Sequence, residues 1–151
     1  MIFLECVPDE ALVMILGIVR KQVRHEDDKG EVCKKVSKHQ NVKGLIEEDP
    51  EIAQPKYIRR LTLVIEKHNI RLWRDQQSGN EVIMICPKLE TWIIHVCEKD
   101  KLDITKFGLP DKPNQLHKVL NTRLTQWKNL LRYLEENQNE AIIHLKSLLN
   151  S

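Results

Sequence analysis

No stretch of this chain approaches the roughly 20 consecutive apolar residues that a bilayer-crossing helix needs. The first residues also lack a basic leader followed by an apolar core. These absences point to a cytoplasmic protein without membrane contact. Ordered cysteines are missing as well: Cys6, Cys33, Cys86 and Cys97 form no CxxC pair and no regular framework. That excludes a zinc ribbon and a disulfide scaffold and leaves buried free thiols as the expectation. His25, Cys33 and His39 match no zinc-ligand spacing. An excess of one charge is absent too, because the net charge is only +2 and does not argue for nucleic acid by itself. Nothing repeats, and no segment is of low complexity.

What remains is an ordinary soluble composition, 41% hydrophobic and 30% charged over 151 residues, which suits one domain with one respectable core. Residues 2–6 read as a short buried strand, since the run is apolar throughout. Asp9 and Glu10 then open a helix carrying Leu12, Ile15, Leu16 and Val19 at helical spacing, expected to end near Arg20 to Val23. His25 to Gly30 is turn-like, and 31–39 reads as a short amphipathic helix with a basic outer face. Residues 42–46 form the next expected strand. The segment 57–67 fits strand or helix equally, while Ile70–Arg74 and Glu81–Cys86 flank a turn signal and read as two adjacent strands, the second central. A helix follows Pro87, with Leu89, Trp92, Ile93 and Val96 facing inward. Asp103 to Pro113 is read as a loop. The rest is helical, one stripe running from Leu116 to Leu134 and a second through Ile142, Leu145 and Leu149, with a break near Asn137 to Asn139. Trp73, Trp92 and Trp127 are read as core residues. Strands alternating with helices predict a mostly parallel α/β sheet flanked by helices, with residues 114–150 a helical C-terminal extension packed on the domain.

The most telling stretch is Val42-Lys43-Gly44-Leu45-Ile46-Glu47-Glu48-Asp49-Pro50, where an apolar strand ends in three carboxylates and a proline. Strand periodicity puts Glu47 and Asp49 on one side and Glu48 on the other. Two oxygen ligands on one face suit Mg2+ or Mn2+. The same grammar opens the chain, where Ile2-Phe3-Leu4 runs into Glu5 and then Val7-Pro8-Asp9-Glu10. In parallel α/β sheets ligands gather outside the carboxyl ends of strands, so both acidic turns are expected at one cleft. Lys34, Lys35 and Lys38 precede the acidic segment and Lys56, Arg59 and Arg60 follow it, an arrangement compatible with a phosphate-rich substrate and equally with a solvated surface.

Glu5 after the first strand, the Val7-Pro8-Asp9-Glu10 helix opening and the Glu47-Glu48-Asp49 strand end resemble the Toprim domain, whose pattern is a glutamate after its first strand and an Asp-x-Asp pair after a later one. Pro87-Lys88-Leu89-Glu90-Thr91-Trp92 is similar to the Leu-Glu-x-Trp helix opening of small stand-alone Toprim-like proteins. The motifs cover residues 1–50 and the element order about 1–100. Two positions depart from the family: its glycine after the first glutamate is Cys6 here, and its first aspartate is Glu47. The resemblance implies a Toprim-like sheet and Mg2+-dependent nuclease or phosphotransfer chemistry on nucleic acid. Glu47 and Asp49 would hold Mg2+ or Mn2+, and Glu5 would be a catalytic acid/base or further ligand. Asp9 and Glu90 would stand in the outer shell, with Lys56 steadying a phosphate.

Plainer readings stand beside this one. Glu47-Glu48-Asp49 is also what a solvated turn looks like, and Glu5 and Glu90 also suit the first turn of a helix. A PD-(D/E)xK nuclease would need an acid-x-lysine on a hairpin, and only Glu66-Lys67 stands near that pattern. A protein of another class, a non-catalytic interaction module, would use the apolar stripes of 114–150 to cap the sheet or to pair as a homodimer.

Overall fold

The computed structural model describes residues 1–151. Six strands form one sheet: β1 (Ile2–Leu4), β2 (Val23–His25), β3 (Lys43–Glu47), β4 (Thr62–Lys67), β5 (Ile70–Arg74) and β6 (Glu81–Ile85), in the order β2-β1-β3-β6-β5-β4. β2, β1, β3 and β6 run parallel, whereas β5 and β4 add to β6 as an antiparallel hairpin edge. The expected parallel α/β sheet is thus present, and its last two strands depart from it. Six helices accompany the strands: α1 (Val7–Ile15), α2 (Lys29–Ser37), α3 (Leu89–Lys99), α4 (Pro113–Val119), α5 (Leu124–Glu136) and α6 (Glu140–Leu149).

Strand periodicity divides the core in two. Leu4, Leu45, Ile83 and Ile85 join one buried cluster with residues of α1, α3, α5 and α6, while Phe3, Ile46, Val82 and Met84 join another with Val32, Cys33 and Val36 of α2. β6 is buried at all five positions, as its apolar run implies for a central strand. α2 lies close to β3 because Gly44 has no side chain. A Cβ there would come within 3.0 Å of Val36 and 3.2 Å of Val32. The C-terminal stripes are spent inside the chain: Trp127, Leu130, Leu131, Ile142 and Leu145 are fully buried in the same cluster as the sheet. Trp127 also donates its indole N–H to the Pro8 carbonyl at 3.0 Å, tying α5 to the start of α1.

Several boundaries differ from the sequence reading. α1 stops at Ile15, because Gly17 follows at a φ of +109° that only glycine adopts easily, and the next four residues never rejoin the helix. Residues near His25, read as a turn, instead supply β2. This strand is only three residues long and two of them are exposed, so it carries almost no apolar pattern to detect. The ambiguous 57–67 segment is both things in turn, a 3-10 turn over Lys56–Arg60 and then β4. The 103–113 loop holds a 3-10 turn over Ile104–Phe107, and Pro113 starts α4 rather than closing the loop. Pro87 precedes α3 after a cis peptide bond with Cys86, and the helix itself begins at Leu89. All four cysteines are free, three of them buried. No helix is long and apolar enough to cross a membrane.

Candidate functional site

Parallel strands β1 and β3 end side by side, and each hands its chain to an acid. Glu5 follows β1 directly, and Glu47 closes β3. Beyond Glu47 the backbone continues alongside β6: the Glu48 N–H donates to the Ile85 carbonyl and the Asp49 N–H to the Pro87 carbonyl, both at 2.8 Å. These bonds pin the acidic turn to the opening of α3. Asp49 itself has a φ of +42°, a left-handed conformation in which aspartate is among the few tolerated side chains. Backbone held this way collects at functional sites, where neighbouring contacts fix it.

The geometry gathers the acids that the sequence singled out. Glu5, Glu47 and Asp49 line one cavity of about 390 Å³, together with Asp28 and Lys29. Glu47 and Asp49 also line a second hollow of about 530 Å³, whose other walls include Lys88, Glu90 and His117. Glu48 turns elsewhere and pairs with Arg71 at 2.8 Å, as strand alternation requires. Glu47 accepts a 2.6 Å hydrogen bond from the Leu89 N–H at the first residue of α3, where the helix end favours negative charge. Asp49 Oδ1 is buried without a hydrogen-bond partner, and its nearest cation is Lys88 Nζ at 3.7 Å. Asp9 is buried in the first turn of α1, and Glu90 is buried and accepts from His117.

Crowding leaves its mark on the proton affinities. Burial, then repulsion from Glu47 and Asp28, raises the Glu5 carboxyl to about 7, against a smaller opposing pull from Lys29. Burial foremost also raises Asp9 to about 7, the Cys6 thiol beside it lowers it, and Glu47, Glu5 and Glu90 raise it further. Glu47 moves upward as well, chiefly through burial, with the Leu89 N–H pulling the other way. The cleft therefore holds more negative charge than its own cations neutralise.

Lys56 is exposed and lines neither hollow, which corrects its expected role. Its place in a 3-10 turn directs it outward, away from the strand ends. Lys29 is the cation on the spot, buried, with Nζ donating to the Glu48 carbonyl at 2.8 Å. Its position follows from Asp28, which caps α2 by accepting from the Glu31 N–H at 2.8 Å. Asp28 followed by Glu31 was a visible cap signal, whereas nothing in the sequence marked Lys29, Lys88 or His117 as neighbours of the acids.

As a metal site the fit is partial and of a definite kind. No three His, Cys, Asp or Glu side chains stand close enough together to hold one ion among them. Mg2+, however, is ordinarily bound by one or two carboxylates while keeping several waters, with substrate phosphates completing its shell. Two hard oxygen donors on one face, one with an unpartnered buried oxygen, meet that lesser requirement. Comparison of the chain with protein-family models, with curated proteins and with solved structures yields no match.

Proposed function

We propose that the protein is a Toprim-like, Mg2+-dependent phosphodiester hydrolase or phosphotransfer protein acting on nucleic acid, with Mn2+ as a substitute ion. The single observation that carries this reading is that Glu5, Glu47 and Asp49 line one cavity although they come from two separate strand ends. Glu47 and Asp49 would hold the ion. When bound, it would supply positive charge to the phosphate oxygens and orient the scissile group. Glu5, raised to about 7, is suited to exchange protons near neutrality, so its assigned role is general base toward an attacking water. Asp9 and Glu90 would stand behind these groups, and Lys29 and Lys88 are the cations nearest to where a phosphate would sit.

The direct test is cleavage of end-labelled single- and double-stranded oligonucleotides with Mg2+ or Mn2+. Metal-dependent cleavage that disappears in Glu47→Gln with Asp49→Asn is the expected result. Cleavage unaffected by that double change would overturn the assignment. The rival reading, an interaction module pairing through its C-terminal helices, has less to rest on, because the apolar stripes of α5 and α6 are buried in the chain's own core.

A further inference from the structure

His117 holds a position in the second hollow that the two-carboxylate site leaves unexplained. It lies on α4, in the part of the chain outside the family resemblance, and its Nδ1 stands 2.9 Å from Oε1 of Glu90. Glu90 is itself buried on α3, with its side chain 11% exposed, so it cannot swing away freely. The His117 side chain is 77% exposed. A carboxylate that accepts from Nδ1–H fixes the ring's orientation and tautomer and presents the other nitrogen outward. Here Nε2 makes no hydrogen bond within the protein, and the ring lines the same hollow as Glu47 and Asp49.

The arrangement has two sides. Glu47 and Asp49 line both hollows, Glu5 lines only the first, and His117 lines only the second. An in-line displacement at phosphorus needs the attacking and leaving oxygens on opposite sides of the reacting centre. We propose that His117 is the proton donor to the leaving oxygen, acting from the second hollow while Glu5 serves the attacking water from the first, and that Glu90 positions it.

This inference rests on the phosphodiester reading above and adds the second half of its proton inventory. Water oxygen forms the new bond to phosphorus, and its proton passes to the Glu5 carboxylate. The bond from phosphorus to the leaving oxygen breaks, and that oxygen keeps the electron pair and takes the Nε2 proton of the His117 imidazolium. Imidazole then stays neutral with its remaining proton on Nδ1, facing Glu90. Exchange with solvent restores both groups, so nothing is oxidised or reduced.

A leaving-group comparison tests the assignment. An oligodeoxynucleotide releases a poor alkoxide and needs a proton donor, whereas thymidine 5′-(p-nitrophenyl phosphate) releases nitrophenolate and needs none. With Mg2+ or Mn2+, His117→Ala should lose about 10²- to 10⁴-fold in turnover on the oligonucleotide and less than about threefold on the nitrophenyl ester. Glu90→Gln should show a smaller loss with the same substrate dependence. Thermal midpoints and Mn2+ binding of His117→Ala and His117→Gln should match the native protein, since the side chain is exposed and is not assigned to the ion. Equal losses on both substrates, or no loss on either, would overturn the role of His117 while leaving the metal-dependent activity standing. A native protein inactive on both substrates would overturn the phosphodiester reading and this inference with it.

Discussion

Glu5 is the residue at which stability and chemistry pull against each other. Its folded-state pKa lies near 7, above the 4.5 of an ordinary glutamate, so the folded state favours its protonated form. The linkage follows directly: the contribution of Glu5 is fully present below about pH 4.5 and is lost as pH rises through about 7. Glu5→Gln should therefore raise the thermal midpoint at pH 8 relative to the native protein, while making little difference at pH 4. Because the group is partly exposed, the gain is discounted to about 1 kcal/mol, or about 2–4 °C. Scanning calorimetry at the two pH values checks this, and a lower midpoint at pH 8 would show that the carboxylate is held by favourable contacts. The same variant should lose metal-dependent turnover. A substitution that stabilises and inactivates together is the signature of a site kept for function rather than for folding.

Between elements, the decisive groups are polar ones that the sequence disguised. Asn80 looked like part of a turn, Gln76-Gln77-Ser78-Gly79-Asn80, yet it is completely buried. Its amide donates to the carbonyls of Val36 and His39 at the end of α2, and its oxygen accepts from the Val42 N–H just before β3. One side chain thus locks α2 to the strand that carries Glu47. Asn80→Ala should lower stability by about 2–4 kcal/mol, since each buried partner left unsatisfied costs about 1–3 kcal/mol. The urea midpoint measures it, and a loss under about 1 kcal/mol would mean that water satisfies those groups.

Such examples show what could be read in advance. β6, α3, α5 and α6 announced themselves through long apolar periodicities, and the acidic ends of β1 and β3 were legible because strand and turn signals flank them. β2 was not legible, since three residues with one buried side chain hold no pattern. Convergence itself was inferable from strand ends and parallel topology. Which cation or imidazole joins the acids was not, because Lys29 and His117 arrive from α2 and α4 by tertiary packing alone.

For the molecule as a whole, three upward-shifted carboxylates, Glu5, Asp9 and Glu47, make the folded state bind more protons than the unfolded chain across the range from ordinary carboxylate pKa values to about 7. As far as these groups decide it, stability falls as pH rises through that window. A divalent ion should oppose the fall, and its stabilising effect should grow with pH because its ligands must be deprotonated to bind it. Midpoints with and without Mg2+ at pH 5 and pH 8 test this, and a metal effect equal at both values would contradict it. At a free ion concentration a hundredfold above Kd the stabilisation should reach about 2.7 kcal/mol. The most direct measurement is a Mn2+ titration followed by electron paramagnetic resonance, in which bound ion loses its free-ion signal. The native protein should take up one Mn2+ that Mg2+ displaces, and Glu47→Gln with Asp49→Asn should take up none. Native protein that leaves Mn2+ free at millimolar concentration, or a double variant that binds as tightly as native, would contradict the proposed metal site.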